Sequence, residues 1–362
     1  MPTVGRLIGD RLRAAGIRHV FGHPGGEVVD LMEGFRQAGL EFVLAKHETD
    51  AAFMAEAMAS STGLPGACLA TLGPGATNLV TGVAHAYLDR APLIALTGQL
   101  PVDRYEIVSH QKLDLRALFA PVTKWQARVT AANAAAVIDR SLRVALRRRR
   151  GPVFLEVPSD VPSRDAAASD PPQPSHVRVA GGVDGDAARA ALALLGESAR
   201  PVLLAGLDAL DDDLAEPLRR FVEGWGIPVI LSPKAKGLLR DDHPLCVGAI
   251  EGLGSAKLYD WIAGRDLILM VGFDPVEFDR DWPAKAPVIH VSPLPNDDRH
   301  YAAAVEIVGP IAAALDALAA PARPKNSIDA TRFRDEFQRF VRPARDGLTS
   351  QSVLAALRES LP

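Results

Sequence analysis

Cysteine is almost absent: the 362 residues carry two, Cys68 and Cys246, far apart and without a CxxC partner. That excludes a disulfide framework and a cysteine-based zinc site, and it fits a reducing cytoplasm. No apolar run approaches the ~20 residues that a membrane span needs. The opening MPTVGRLIGDRLRAAG alternates charged and apolar residues at helical spacing, in place of the uninterrupted apolar core of a signal peptide. A soluble, cytoplasmic protein without a membrane partner is expected. Large charge of either sign is also missing. The formal net charge is -4, so nothing electrostatic points to nucleic acid. The one basic run, Arg147 to Arg150, closes a helical pattern before Gly151-Pro152 and reads as solvated cations at a helix C-terminus. His23, His47, His85 and His110 show no metal-ligand spacing, so no metal site is expected on this chain.

What is present is an ordinary globular composition, 48% hydrophobic and 23% charged, with length for two domains or a little more. Over residues 1–162, short β-rich runs alternate with helical patterns. The strand candidates are His19-Phe21, Glu41-Leu44, Ala67-Leu72, Leu93-Thr97, Val122-Arg128 and Val153-Val157. Helix patterns at Asp50-Ser61, Thr77-Leu88 and Ala134-Leu146 lie between them. This is the pattern of an α/β, doubly wound parallel sheet. Residues 163–186, with Pro171-Pro172, Pro174 and Gly181-Gly182, read as a linker. A second α/β, Rossmann-like unit is expected over 187–320, with strands near Val202-Ala205, Val229-Leu231, Leu267-Val271, Val288-Val291 and Val305-Val308. Residues 321–362 read as a polar linker and then a short amphipathic helix, Ser352-Leu361, whose apolar face needs something to pack on.

Three turns of the first unit fall where a strand end meets a helix, the edge at which doubly wound sheets bind ligands. They are Phe21-Gly22-His23-Pro24-Gly25-Gly26, Lys46-His47-Glu48, and Thr71-Leu72-Gly73-Pro74-Gly75-Ala76-Thr77-Asn78. Each alone has a plain reading: a tight corner, or a solvated acid at a helix start. The last is no dinucleotide fingerprint, because the third glycine is missing.

Taken in order with Leu96-Thr97-Gly98-Gln99, His110-Gln111 and Pro121-Val122-Thr123-Lys124, these strings resemble the thiamine-diphosphate enzymes of the acetolactate-synthase group. The resemblance implies the family's pyrimidine-binding domain over 1–162 and its central domain over 187–320. It also implies that residues 321–362 lead toward a third, diphosphate-binding domain. In that family a glutamate at the position of Glu48 hydrogen-bonds N1′ of the aminopyrimidine, favouring the 4′-imino tautomer that deprotonates the thiazolium C2. The resemblance places Pro24, Gly25, Gly26, Thr71, Gly73, Pro74, Gly75 and Asn78 around the cofactor. Gln111 becomes an amide donor to an anionic intermediate, and His110 and Lys124 are substrate-side candidates. His23 stands where the family usually has an aliphatic residue and Glu27 where it varies, so these two are either substrate-side candidates or helix-entry residues.

The implied activity is decarboxylation of a 2-oxoacid such as pyruvate and ligation of the remainder to a second acceptor. The implied cofactors are thiamine diphosphate and Mg2+, in a homodimer or tetramer. The family's Gly-Asp-Gly motif for the diphosphate and metal does not occur here, so the site is expected to be incomplete without a further domain, fused or on a separate chain. FAD is not expected, because Ala205-Gly206-Leu207-Asp208 stands where flavin-containing members carry a run of glycines. Val271-Gly272-Phe273-Asp274-Pro275-Val276-Glu277-Phe278 resembles the flavin-free type instead. Thr71 to Gly75 and Leu88-Asp89-Arg90 also resemble carboxyethylarginine synthase. Two other classes stand beside these readings: a non-catalytic half-enzyme working with a partner chain, and a two-domain nucleotide-binding module.

Overall fold

The computed structural model describes residues 1–167, 182–210, 214–250, 254–277, 282, 284–297, 301–319, 328–341 and 349–360. It divides into two compact units, Met1–Val177 and Arg178–Pro362. In the first, β1 (His19–Gly22), β2 (Glu41–Leu44), β3 (Gly66–Ala70), β4 (Leu93–Gln99), β5 (Trp125–Arg128) and β6 (Pro152–Pro158) form one parallel sheet in the order β2-β1-β3-β4-β6-β5. Strands β3, β4 and β6 are buried along their whole length. Being covered on both faces, they read as nearly continuous apolar and small runs without alternation. The strand expected from Val122 starts only at Trp125, because Ala120–Val122 forms a 3-10 turn around Pro121.

The helices of this unit are α1 (Val4–Ala14), α2 (Val29–Gln37), α3 (Glu48–Thr62), α4 (Pro74–Leu88), α5 (Leu115–Phe119) and α6 (Ala134–Leu146). On one side of the sheet, Ile8 and Leu12 of α1, Leu31 and Phe35 of α2 and Ile138 of α6 fill a common core. On the other, α3 contributes Ala51, Ala52 and Ala55, and α4 contributes Ala76, Leu79 and Val83. Small residues let these two helices close on each other. A Cβ added at Gly82 would lie 2.5 Å from the Ala52 Cβ.

The second unit carries β7 (Pro201–Ala205), β8 (Val229–Leu231), β9 (Cys246–Ala249), β10 (Leu267–Val271), β11 (Val288–Ser292) and β12 (Val305–Val308), parallel in the order β12-β11-β10-β7-β8-β9. Its helices are α7 (Gly185–Glu197), α8 (Ala215–Trp225), α9 (Ser255–Ala263), α10 (Ile311–Ala317), α11 (Ile328–Val341) and α12 (Ser350–Ser360). Two elements depart from the sequence reading. Strand β9 is short, contains Gly248 and slips register against β8 between Val229 and Ile230. Helix α11 falls in the stretch read as polar linker. It is held by buried Ala330 and Phe337, and by Phe333 stacked on Trp261 at 5.0 Å. Residues 168–181 of the expected interdomain linker, residues 320–327 and 342–348, and Phe278 lie outside the described residues. Among the described residues no helix is long and apolar enough to cross a membrane.

Each sheet contains a central reversal of direction, and the first adds another at its edge, where the chain passes from β4 out to β5 and back to β6. The chain steps from β1 outward to β2 and returns across to β3, and in the second unit it runs β7-β8-β9 before crossing to β10. Each central reversal opens a crevice at the C-terminal ends of the strands, between β1 and β3 and between β7 and β10, where folds of this kind take their ligands.

Candidate functional site at the first crevice

Glu48 is the first residue of α3, behind the His47 cap, whose Nδ1 accepts from the Thr49 backbone N–H at 3.2 Å. A carboxylate is favoured at a helix N-terminus by the unpaired backbone N–H groups there. The side chain is nonetheless turned inward, with 8% exposure. Its Oε2 accepts from Asn78 Nδ2 at 2.9 Å, while the Thr49 hydroxyl donates to the Asn78 carbonyl at 2.6 Å. The starts of α3 and α4 are thereby tied together. Gly75 borders the other carboxylate oxygen, since a Cβ there would stand 3.1 Å from Oε1 and 2.7 Å from Thr71 Cγ2. Among the described residues, Oε1 accepts no hydrogen bond.

Thr71 links this carboxylate to the first turn. A Cβ on Gly25 would meet the Thr71 side chain at 2.8 Å, and the Thr71 hydroxyl donates to Glu27 Oε2 at 2.5 Å. Beside it, Gly26 faces open space, and Pro24 is exposed. His23, half-buried, directs Nδ1 at the Ala45 carbonyl at 3.0 Å. A carbonyl only accepts, so Nδ1 carries a proton and donates it here.

The third component is the segment after β4. Gln111 adopts φ 56° and lays its Cβ and backbone against Gly73, where an added Cβ would lie 2.8 Å from the Gln111 Cβ. Gly73 itself has φ 57° and ψ -122°, a region that residues with a Cβ avoid. Pro74 then starts α4, where its missing N–H costs no helical bond. The side chains of His110 and Gln111 are exposed. Sequence reasoning missed what anchors this segment. Glu156, a lone charge in the apolar strand β6 and 1% exposed, accepts from Gln99 Nε2 at 2.8 Å and from Arg128 Nε at 2.6 Å.

Lys124 is not brought to this corner. It precedes β5, and its backbone N–H donates to the carbonyl of Pro152, the first residue of β6. That is the strand-start edge, opposite the ends that carry Glu48 and Gly73. Its ammonium caps the C-terminal end of α6 through the carbonyls of Val144 at 2.6 Å and Arg147 at 2.5 Å. Burial, with the nearby Arg147, Arg90 and Arg150, pushes the Lys124 amine down to about 8. Among the described residues, one group of His and acidic side chains has metal-ligand proximity: Glu56, His85 and Asp89, with one ligand atom from each within 4.8 Å of the others. It sits at the far end of α4 from Glu48, where sequence spacing gave no sign of it.

At the second unit's crevice a buried acid replaces an open cradle. Glu277, 4% exposed, accepts from the Leu207 N–H at 3.0 and 2.9 Å and from the Asp274 N–H at 2.8 Å. The Ser232 hydroxyl adds a further hydrogen bond. A Cβ on Gly206 would meet Glu277 Oε2 at 2.4 Å and Phe273 Cα at 2.4 Å. Burial pushes the Glu277 carboxyl up to about 7 against these donors.

Fold and site together define a chain of two doubly wound α/β units, the first presenting a buried glutamate among glycine turns at its switch point. Residues 2–118 match the family model of the thiamine pyrophosphate enzyme N-terminal TPP binding domain, and residues 188–318 match that of the central domain. These ranges together make up more than half of the chain, which belongs to the thiamine pyrophosphate enzymes. Among similar proteins is a probable acetolactate synthase large subunit of Methanocaldococcus jannaschii, 33% identical over 82% of this chain and 52% of the relative. The catabolic acetolactate synthase of Raoultella terrigena is 32% identical over 86% of this chain and 57% of its own length. The acetolactate synthase of Bacillus subtilis is 31% identical over 86% and 55% respectively. The chain spans about half the length of these relatives.

Proposed function

We propose that this chain supplies the aminopyrimidine-binding part of an acetolactate-synthase-like enzyme, which decarboxylates pyruvate or a related 2-oxoacid and joins the remaining unit to a second acceptor. The observation that carries the reading is the Glu48 carboxylate: buried, with one oxygen fixed by Asn78 and the other bordered by the bare α-carbon of Gly75. A flat heteroaromatic ring with a nitrogen that shares a proton fits such an acceptor. Bound thiamine diphosphate supplies the thiazolium that takes up the electrons released by decarboxylation.

The chain's own residues hold and orient. Glu48 keeps a proton shared at N1′, a charge-assisted bond worth about 1.5 to 3 kcal/mol, and Asn78 fixes the rotamer that aims it. The Gly25-Gly26 backbone and the Gly73-Pro74-Gly75 turn let a ring approach closely. Gln111 offers an amide donor to an oxygen that gains charge, and His23, Glu27 and His110 stand on the substrate side. The two acids described at this corner are engaged, Glu48 by Asn78 and Glu27 by the Thr71 hydroxyl, so we assign the diphosphate and its magnesium to groups outside it, on a further domain or a neighbouring chain of a homodimer or tetramer. Flavin and nucleotide binding by the second unit are disfavoured by Glu277, which engages the Leu207 N–H that a pyrophosphate would use.

The test is Glu48→Gln in the assembly that turns over substrate. We expect a loss of at least about a hundredfold in rate, the scale of proton-transfer catalysis, with an unchanged fold by circular dichroism. C2 proton exchange on bound cofactor at the wild-type rate would overturn the assignment.

A further inference from the structure

We infer that Glu156 is a positioning residue, a buried anchor that sets the placement of Gln111 over Gly73; this rests on the reading of Gln111 given above. The argument follows the segment between Gln99 and Leu115. Glu156 lies on β6 beside the end of β4, paired with Thr97, and its two oxygens receive different neighbours. Oε1 accepts from Gln99 Nε2 at 2.8 Å, and Oε2 accepts from Arg128 Nε at 2.6 Å.

From these two contacts the whole segment is held at three points. Gln99 Oε1 accepts from the Leu100 N–H at 2.9 Å, which fixes the segment's start. Gln99 Nε2 also donates to the Leu113 carbonyl at 3.3 Å, which fixes its end. Arg128 places its guanidinium over the Tyr105 ring, 4.9 Å from the centroid, and Lys112 stands 4.4 Å from the same centroid. The middle of the segment is thus clamped through the Tyr105 ring, which both cations approach, and one of them, Arg128, is paired with Glu156.

Gln111 adjoins Lys112 and keeps a positive φ with its Cβ on Gly73. A residue with a Cβ holds that conformation only when its surroundings over-determine it. A carboxylate 1% exposed on a fully buried strand has no role in solvation. Its two partners are the two side chains from which the segment hangs.

The experiment has two readouts. Hydrogen–deuterium exchange on the 362-residue chain compares wild type with Glu156→Gln and Glu156→Asp. In Glu156→Gln we expect peptides covering 100–114 to exchange about tenfold faster or more, while those covering 66–70 and 152–158 keep their protection. Glu156→Asp, which retains the charge, restores part of the protection. Unchanged exchange in 100–114, or equal acceleration throughout residues 1–167, overturns the inference. Should Glu156→Gln fail to fold, Tyr105→Leu removes the clamp without touching a buried charge, and it must accelerate the same peptides.

Turnover in the active assembly is read separately as a double-mutant cycle with Gln111→Ala. Glu156→Gln lowers kcat about tenfold or more with a smaller change in KM, and adding it to Gln111→Ala produces no further loss. Additive losses overturn the positioning role. A silent Gln111→Ala, with the exchange result intact, overturns instead the substrate-side reading of Gln111.

Discussion

Asn78 donates to Glu48 from a neighbouring helix at 2.9 Å, so the orientation of the acid on α3 is set by an amide on α4. Removing that amide leaves a nearly buried carboxylate short of a partner, which costs about 1 to 3 kcal/mol. Asn78→Ala should lower the unfolding free energy by that amount in urea. In the Glu48→Gln background, where no charge remains to be satisfied, the same change should cost clearly less. Equal costs in both backgrounds would show that the two side chains are uncoupled.

Gly73 predicts a larger local effect. At φ 57° and ψ -122° an alanine is strained by about 1 to 3 kcal/mol, and its Cβ would stand 2.8 Å from that of Gln111. Gly73→Ala should therefore destabilise the first unit and also displace the 100–114 segment. The displacement is measurable as faster tryptic cleavage at Arg104 and Lys112.

For Glu277 the sign follows from the direction of its shift. The folded carboxyl holds its proton up to about 7, whereas an unfolded glutamate releases it near 4.5. The native state therefore binds more protons between these values. The associated stability is complete below about 4.5 and disappears as pH rises to about 7, with an upper size of about 3 kcal/mol. Denaturant titrations from pH 4.5 to 8 should show wild type losing more stability over this window than Glu277→Gln, and parallel profiles would refute the role given to burial.

Lys124→Met tests where that residue acts. Its ammonium caps two carbonyls at the end of α6, so its loss should cost about 0.3 to 1 kcal/mol of stability and leave KM for the 2-oxoacid unchanged. A raised KM with unaltered stability would restore the substrate-side role that the sequence suggested.

The β2, β8, β10 and β12 ranges could be read directly from the sequence, and so could α6, because apolar runs and periodicity report burial on one or both faces. Strand β9 escaped because a four-residue edge strand with a glycine has neither alternation nor length. Helix α11 escaped because its signal is carried by Phe333 and Phe337, four apart in a charged stretch. At the site, Glu48, Thr71 and Asn78 were named from ordered motifs, and the structure joins them through Gly75 and the 2.9 Å bond. Glu156 and Glu277 were not given roles. Glu156 is tied to Gln99, 57 positions away, and Glu277 to the Leu207 N–H, 70 positions away, and no local pattern encodes either pairing. A single acid inside the strand PVFLEVP was the one available hint.

The contact between Gly82 and Ala52 governs where this corner can diversify. Two helices pressed together without room for one more methyl group cannot slide, so Glu48 and Asn78 behave as a single rigid fixture. Laboratory evolution toward new acceptors should leave that fixture untouched. Accepted changes should collect in 23–27 and 100–114, the two segments bordering the crevice that do not belong to the clamped helix pair.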